Sequence, residues 1–289
     1  MSAPGENRAL DRVRAWVLDV DGCLVRTRRA GGAGGEAMPL AGELVDLLHA
    51  AGHAVVVCTN ASQRPPREYA AHLRDLGIDI ADDDFVTAGS AAVDHVLAHH
   101  PGARVLVVGD EGIAGPARER GVELVDPDGD LADVVVVGAA DGYATRLINA
   151  ACLSVDAGAS LYTTVDVPWF HGGVGKSVAV SATIAAAVGW ATGVRPAVVG
   201  KPSAFLAEAL GRRLGASAAE TAVVGDAAVE VRLARRMGAT SVLVLSGAVG
   251  PGGLAGLTPD DVPDLALDDV AALHDLLSRT LPMTQGAPS

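Results

Sequence analysis

Short apolar runs rich in β-branched residues recur along the chain, and glycine or a polar residue follows most of them. Each run is too short for a helix and is apolar at every position, which is typical of strands covered on both faces of a parallel sheet. Amphipathic stretches rich in Ala and Leu lie between the runs, so the alternation predicts βαβ units and an α/β fold. The predicted strands are Ala15–Leu18, Ala54–Cys58, Val105–Val108, Val134–Val137, Ala197–Val199, Thr221–Val224 and Ser241–Leu245.

Composition and charge exclude several classes of protein. Of the 289 residues, 49% are hydrophobic and 20% are charged, which is enough apolar material for a large buried core. The formal net charge is −13, from 35 acidic and 22 basic residues. A surface with this charge repels phosphate backbones and anionic lipid headgroups. We therefore expect no binding to nucleic acid polymers and none to membranes.

The cysteines and the N-terminal sequence predict a cytoplasmic protein. Cys23, Cys58 and Cys152 are an odd number without the spacing of metal ligands, which fits a reducing compartment. The first residues are polar and lack the apolar segment of a signal peptide. No stretch approaches the ~20 uninterrupted apolar residues of a membrane helix.

Polar residues at the predicted strand ends are the candidates for chemistry, because ligands of α/β sheets bind at the carboxyl ends of strands. The first strand is followed by two carboxylates at positions 19 and 21, which point the same way on an extended segment. Carboxylates, a hydroxyl and an ammonium gathered at one edge suit phosphoryl transfer with an aspartyl nucleophile and Mg²⁺. The candidate residues are Asp19, Asp21, Thr59, Asn60, Lys201 and Asp226.

Four of these strand ends carry motifs that resemble those of a known superfamily. The motifs are VLDVDGCL at 17–24, VVVCTNAS at 55–62, AVVGKP at 197–202 and AVVGDAAVE at 222–230. In order and position they resemble the motif set of the haloacid dehalogenase (HAD) phosphohydrolases, and the resemblance runs over nearly the whole chain. More specifically, the chain resembles the subfamily with a C2-type cap, which includes NagD-like nucleotide phosphatases and p-nitrophenyl, phosphoglycolate and pyridoxal phosphate phosphatases.

The resemblance implies an architecture of two domains. A Rossmann-like core with a parallel sheet would come from residues 1–86 and 196–289, and a C2-type α+β cap from residues 87–195 would be inserted into it. Such a cap would cover the cleft at the strand ends, exclude water during the transfer and select the leaving group. The resemblance also implies that two copies could form a homodimer through the cap.

The resemblance further implies a role for each residue near the phosphate. Asp19 would be the nucleophile and a Mg²⁺ ligand. Asp21 would protonate the leaving oxygen, then activate the hydrolytic water, and bind Mg²⁺ through its backbone carbonyl. Thr59 would donate its hydroxyl to the phosphate, with the backbone N–H of Asn60 beside it, and Lys201 would balance the negative charge.

The remaining candidates are metal ligands and residues of the cap. Asp226 would complete the Mg²⁺ site, and Glu230, where the superfamily more often has Asp, is a further candidate ligand. In the cap, relatives carry a TNxD segment near the substrate, whereas this chain has TTVD at 163–166 and an unusual PWFHGG at 168–173. The candidate substrate-selecting residues are Asp166, Trp169 and His171.

These inferences predict a Mg²⁺-dependent phosphatase that acts on a small phosphorylated metabolite through an aspartyl-phosphate intermediate. The substrate would be a sugar phosphate, phosphoglycolate or glycerol phosphate, a nucleotide, or pyridoxal phosphate. Two alternatives stay open: a non-catalytic phosphate-binding or regulatory relative, and a phosphomutase of the same superfamily. A dehalogenase is disfavoured, because dehalogenases work without Mg²⁺ and lack the second carboxylate that Asp21 supplies here.

Overall fold

The computed structural model describes residues 10–27, 34–172 and 175–281, with the backbone only at 171, 172, 175 and 176. Strands and helices alternate along most of the chain, as the apolar pattern predicts. The strands are β1 (Ala15–Leu18), β2 (Val25–Thr27), β3 (Gly35–Ala37), β4 (Ala54–Thr59), β5 (Phe85–Thr87), β6 (Arg104–Val108), β7 (Glu123–Leu124), β8 (Val134–Val137), β9 (Ser160–Thr163), β10 (Trp169–Gly172), β11 (Gly175–Val178), β12 (Ala197–Val198), β13 (Thr221–Gly225), β14 (Thr240–Val244) and β15 (Leu265–Leu267).

Helices connect most of these strands. In the described segments, no helix has both the length and the apolar character needed to cross a membrane. The helices are α1 (Ala41–Ala50), α2 (Pro66–Asp75), α3 (Ala88–His99), α4 (Glu111–Glu119), α5 (Thr145–Asp156), α6 (Val180–Thr192), α7 (Ala204–Leu214), α8 (Ala228–Met237) and α9 (Val270–Leu277).

The first sheet has the strand order β15-β14-β13-β1-β4-β5, and neighbouring strands in it are parallel. β1 lies inside the sheet and is buried along its whole length. Its Trp16 and Leu18 pack in a cluster with α1, α2 and α9, whereas Ala15 and Val17 pack with α7 and α8 on the other face. Because helices cover both faces, the strand is apolar at every position, and polar residues are left to its end.

The segment 88–198, which we refer to as the inserted part, builds a second sheet. Its strand order is β12-β9-β8-β6-β7, again with parallel neighbours, and α3 and α4 cover one face while α5 and α6 cover the other. Two antiparallel hairpins, β2–β3 and β10–β11, complete the strand pairing. The predicted α/β fold, with a parallel core sheet and an inserted second part, is confirmed.

The predicted domain boundaries, with a core of 1–86 and 196–289 and a cap of 87–195, stay a prediction. The strand pairing differs from them at one point, because β12 lies within the predicted core segment but pairs with β9 of the second sheet. Both sheets contain short, uncharged apolar strands, such as β8 and β13, so the sequence of Ala197–Val198 does not indicate which sheet it joins. Lys201 therefore follows a strand of the second sheet and not, as the sequence suggested, one of the first.

Candidate active site

A tight turn after β1 carries two carboxylates. Asp19 follows β1 directly and is buried, and its backbone N–H donates to the carbonyl oxygen of Val224 at 2.9 Å. Gly22 closes the turn by donating its N–H to the carbonyl oxygen of Val25 at 2.8 Å. Gly22 has a φ of 81°, and a Cβ there would lie 2.3 Å from Oδ2 of Asp226, so the position requires glycine. The turn thus packs directly against the residue that follows β13.

Asp21 combines a half-buried position with a carboxyl group that is only partly satisfied. Its side chain hydrogen-bonds Thr27, but its Oδ1 atom is buried without a hydrogen-bond partner in the described part of the chain. Burial, and next the charge of Asp19, raise the pKa of Asp21 to about 6. A carboxyl group with this pKa can hold a proton close to neutral pH and release it, which is what a general acid and base requires.

Lys201 is a buried cation between two carboxylates. Its Nζ donates to Oδ1 of Asp19, lies 2.8 Å from Oε1 of Glu230, and donates to the carbonyl oxygen of Cys58 at 3.1 Å. Burial disfavours the charged ammonium, but Asp19 and then Glu230 outweigh it and hold the pKa of Lys201 well above its usual range. Lys201 therefore keeps its charge and fixes one oxygen of Asp19.

The end of β4 supplies a hydroxyl and a carboxamide. The buried Thr59 accepts a hydrogen bond at Oγ1 from the N–H of Ala61 at 3.2 Å. The Asn60 side chain accepts from the Lys201 N–H at 2.7 Å and donates to the Lys201 carbonyl oxygen at 3.2 Å. The sequence motif had suggested a role for the backbone N–H of Asn60, whereas the structure shows that its side chain also anchors the Lys201 turn.

Asp226 and Glu230 lie at the junction of β13 and α8, and they have different partners. Asp226 is buried and accepts the N–H of Ala248 at Oδ2, at 2.6 Å. Oε1 of Glu230 forms an ion pair with Nζ of Lys201, and Oε2 accepts the N–H of Ala227 at 3.2 Å. Both Glu230 oxygens thus have partners, and its role as a metal ligand stays a prediction. A Cβ on Gly225 would lie 2.1 Å from Cγ of Glu230, so this glycine lets the longer side chain fold back toward the lysine.

Negative charge is in excess at this site, because several carboxylates surround one ammonium. Burial, then Asp19 and Glu230, raise the pKa of Asp226 to about 8, and burial raises the pKa of Glu230. Such shifts indicate that the buried carboxylates are poorly compensated by protein groups alone. A bound divalent cation would relieve this repulsion.

The donor set fits a hard divalent cation. In the described part of the chain, no group of three or more His, Cys, Asp or Glu side chains is arranged to hold a metal ion. Mg²⁺ needs no such group, because it is commonly bound by one or two carboxylates together with waters and substrate phosphate. Asp19 and Asp226 supply hard carboxylate oxygens, and the unpartnered Oδ1 of Asp21 lies on the same turn. The residues present therefore suit Mg²⁺ better than a soft metal.

The predicted substrate-selecting residues lie on the inserted part, after β9 and in β10. Asp166 is exposed, and Trp169 is 43% exposed. The backbone of His171 pairs with that of Lys176 in the β10–β11 hairpin, but the His171 side chain lies outside the described residues. The role of these three residues in substrate selection stays a prediction.

Comparison with known proteins defines the family. A family model described as haloacid dehalogenase-like hydrolase matches residues 16–123, and a second model, for HAD-like hydrolases, matches residues 198–273. The two matched segments contain all of the candidate site outside the inserted part. The chain belongs to the haloacid dehalogenase-like hydrolases, and the resemblance inferred from its motifs is confirmed.

Its relatives within this family include proteins with different named activities. The 5'-nucleotidase YutF of Bacillus subtilis is 27% identical over 238 residues, which are 81% of this chain and 88% of that protein. An acid sugar phosphatase of Staphylococcus epidermidis is 26% identical over 216 residues, covering 74% of this chain and 78% of that one. The solved structure of a glycerol phosphate phosphatase from Mycobacterium tuberculosis, in complex with calcium, has a TM-score of 0.78 at 26% identity and covers 92% of this chain and 74% of its own.

Proposed function

We propose that this protein is a Mg²⁺-dependent phosphatase that hydrolyses a small phosphomonoester through an aspartyl-phosphate intermediate. The observation that carries the proposal is the contact between the buried Lys201 ammonium and Asp19, beside an Asp21 whose pKa is raised to about 6. A nucleophile, a proton donor and a compensating cation are thus adjacent. The family membership and the phosphatases among its relatives support the same class of reaction.

In the proposed first step, an oxygen of Asp19 attacks the phosphorus atom. The new O–P bond forms as the bond between phosphorus and the leaving oxygen breaks, and the leaving oxygen takes both the bonding electron pair and the proton of Asp21. Lys201 balances the charge of Asp19 as the carboxylate approaches the anionic phosphate. Thr59 and the backbone N–H of Asn60 orient the phosphate oxygens.

In the second step, the Asp21 carboxylate accepts a proton from a water molecule. The water oxygen attacks phosphorus, the bond between phosphorus and Asp19 breaks, and the Asp19 carboxylate and inorganic phosphate are released. Asp21 is again protonated and ready for the next ester. The same residue thus acts as acid in the first step and as base in the second.

The metal ion, when bound, supplies Lewis-acid stabilisation of the phosphate charge. Asp19, Asp226 and the backbone carbonyl of Asp21 would hold it, and their hard oxygens favour Mg²⁺. Glu230 is proposed to act as the second carboxylate partner of Lys201, because its Oε1 contacts the ammonium, and its role as a metal ligand stays a prediction.

The substrate is proposed to be a small phosphomonoester, and the cap to select its leaving group. The names of the relatives point to nucleotides, sugar phosphates and glycerol phosphate, which differ in the leaving group and share the monoester. Asp166, Trp169 and His171 remain the proposed selecting residues of a cap at 87–195. The core at 1–86 and 196–289 supplies the chemistry.

We also propose that the protein acts in the cytoplasm as a homodimer, with the exposed face of α6 as the dimer interface. No charged residue occurs between Lys176 and Arg195, and Trp190 on this helix is 89% exposed. In a chain with a net charge of −13, an uncharged apolar face is where a second copy meets the least repulsion.

A phosphate-release screen over a panel of phosphomonoesters, with and without Mg²⁺, tests the proposed function. We expect release from at least one class of ester, and a loss of about 10⁴-fold or more in Asp19→Asn with unchanged circular dichroism. Full activity of Asp19→Asn would refute the mechanism. Binding of esters without release would indicate the non-catalytic alternative, and loss of substrate without release would indicate a phosphomutase.

A further inference from the structure

The loop after β4, residues 60–64, is the place where the first sheet meets the inserted part. The carbonyl oxygen of Gln63 accepts the N–H of Gly112, in the first turn of α4, at 3.0 Å. The Gln63 side chain donates to Oδ1 of Asp141, after β8, at 2.6 Å. The loop therefore contacts the inserted part near the ends of two of its strands.

Ser62 makes the most buried of these contacts. Its side chain is 1% exposed, and its Oγ accepts the N–H of Ala139, just after β8, at 2.9 Å. The same Oγ shares a hydrogen bond with Oγ1 of Thr164, just after β9, at 3.2 Å. Thr164 is itself fully buried. One hydroxyl thus joins the loop to two strand ends of the inserted part.

Glycines allow the two parts to approach this closely. A Cβ on Gly112 would lie 2.3 Å from the carbonyl oxygen of Ser62, and one on Gly138 would lie 3.1 Å from Ser62 Oγ. A Cβ on Gly200 would lie 2.1 Å from the carbonyl oxygen of Thr164. Backbone therefore packs against backbone around Ser62, and the residue before Lys201 takes part in the same contact.

The other end of the loop holds the proposed phosphate-binding residue. The N–H of Ala61 donates to Thr59 Oγ1 at 3.2 Å, and the carbonyl oxygen of Ala61 accepts the N–H of Ala88 at 3.1 Å. Only three positions separate Thr59 from Ser62. A displacement of Ser62 is therefore transmitted to Thr59 through a segment of only two residues, one of which is hydrogen-bonded to Thr59 itself.

We propose that Ser62 is a positioning residue, which couples the placement of the inserted part to the phosphate contact of Thr59. The inference rests on the proposed function and deepens it, because it gives the inserted part a role in binding the phosphate as well as in selecting the leaving group. Without the Ser62 hydroxyl, the Ala139 N–H and the Thr164 hydroxyl lose a buried partner, and the inserted part separates from the loop so that water can reach them.

Inorganic phosphate is the probe that isolates this coupling, because it has no leaving group for the cap to recognise. We expect Ser62→Ala and Thr164→Val each to raise the competitive Ki of inorganic phosphate, with Mg²⁺ present, by about tenfold. KM should rise by a similar factor and kcat should change less, because the phosphate contact exists in both ground and transition states. The double variant Ser62→Ala/Thr164→Val should raise Ki by less than the product of the two single-variant factors. Thr164→Ser, which keeps the hydroxyl, should have wild-type Ki and KM.

Ser154→Ala is the matched control for a purely structural effect. Ser154 is also 1% exposed, and its Oγ also accepts a backbone N–H, from Ala132 at 3.1 Å, but within the inserted part and away from the loop. We expect this variant to lower the melting temperature and to leave the phosphate Ki unchanged.

The proposal is overturned if Ser62→Ala and Thr164→Val lower the melting temperature as Ser154→Ala does while Ki and KM stay at wild-type values. If Ser62→Ala does not fold, the phosphate Ki and KM of Thr164→Val are compared with those of Thr164→Ser instead. If the wild-type protein hydrolyses no phosphomonoester, the proposed function fails, and calorimetric titration with inorganic phosphate and Mg²⁺ then measures the coupling directly.

Discussion

The side chain of Asn60 makes two hydrogen bonds to the backbone of Lys201, 141 positions further along the chain. The bonds occupy both the N–H and the carbonyl oxygen of Lys201, at 2.7 and 3.2 Å. Because the backbone of Lys201 is held on both sides, its side chain starts from a fixed point and extends to Asp19 and Glu230. Asn60, which follows the proposed phosphate-binding residue Thr59, thus positions the ammonium of Lys201.

Asn60→Ala should therefore impair catalysis through Lys201. We expect kcat/KM to fall by about 10- to 100-fold, since each hydrogen bond contributes ~1 kcal/mol and the misplaced ammonium no longer supports Asp19. Asn60→Asp keeps the acceptor for the Lys201 N–H but turns a carboxylate oxygen toward its carbonyl oxygen and adds negative charge to the site, so a loss at least as large as in Asn60→Ala is expected. Steady-state kinetics and circular dichroism measure both variants. Unchanged kcat/KM in Asn60→Ala would contradict the assigned role.

Asp21 should make stability depend on pH. Its pKa is about 6 in the folded protein and 3.8 for an aspartate exposed to water, so the folded state binds more protons than the unfolded state between these values. Stability should therefore fall as pH rises through this window. In EDTA, Asp21→Asn should be more stable than wild type above pH 6, and the difference should vanish near pH 4. Urea unfolding across pH measures this, with the exposed Asp166→Asn as control; parallel pH profiles for wild type and Asp21→Asn would refute the prediction.

Asp226 and Glu230 should respond oppositely to loss of charge. Asp226→Asn removes one of several crowded carboxylates, so the metal-free protein should melt at a higher temperature while the stabilisation by added Mg²⁺ decreases. Glu230→Gln weakens the ion pair with Lys201, so the free energy of unfolding of the metal-free protein should fall by about 2 kcal/mol. The stabilisation by added Mg²⁺ should be unchanged. Thermal melts in EDTA and in a Mg²⁺ series separate these outcomes. Loss of the Mg²⁺ response in Glu230→Gln would return Glu230 to the metal site.

His95 should destabilise the protein in acid. It is buried among aromatic rings, including Phe205 at 4.0 Å between ring centroids, and in the described part of the chain neither ring nitrogen has a hydrogen-bond partner. Burial, then His99 and His100, lower the pKa of His95 from 6.5 to about 4. The unfolded chain therefore takes up a proton first, and stability falls as pH falls from about 6.5 toward 4.

His95→Phe removes this titration and the unsatisfied donor together. We expect the free energy of unfolding to rise by about 1–3 kcal/mol at pH 7 and by more at pH 5. Urea titrations at both values test this, with His274→Phe on α9 as the control. A His95→Phe variant that is less stable than wild type at pH 5 would show that the ring nitrogens have partners in solution.

Trp190 should decide the oligomeric state. If the uncharged face of α6 joins two copies, Trp190→Glu places two charges in the interface and should give a monomer in sedimentation velocity. Val262→Glu introduces the same charge at another exposed apolar position and should leave the dimer intact. A wild-type protein that sediments as a monomer at micromolar concentration would refute the dimer.

The sequence predicted the positions of the chemistry better than the contacts among them. Asp19 and Asp226 follow buried strands of one sheet, and their proximity follows from parallel pairing of β1 and β13. Lys201 reaches Asp19 from the end of β12, a strand of the other sheet. A pattern of apolar runs predicts a strand but does not show which of two sheets the strand joins. The pairing of Glu230 with Lys201 depends on the packing of α8 over Gly225. Partners that are backbone groups, such as the Ala248 N–H, leave no signal in residue types.

The pairing of β12 with β9 has a consequence for the design of chimeras. A graft that exchanges the inserted part between relatives at position 195 would separate β12 from the sheet to which it is hydrogen-bonded. It would also leave the Lys201 turn without the backbone of Thr164 against Gly200. A junction placed after Pro202 keeps the strand, the turn and the lysine with their own sheet. The ammonium that serves the nucleophile would then be inherited from the donor of the cap.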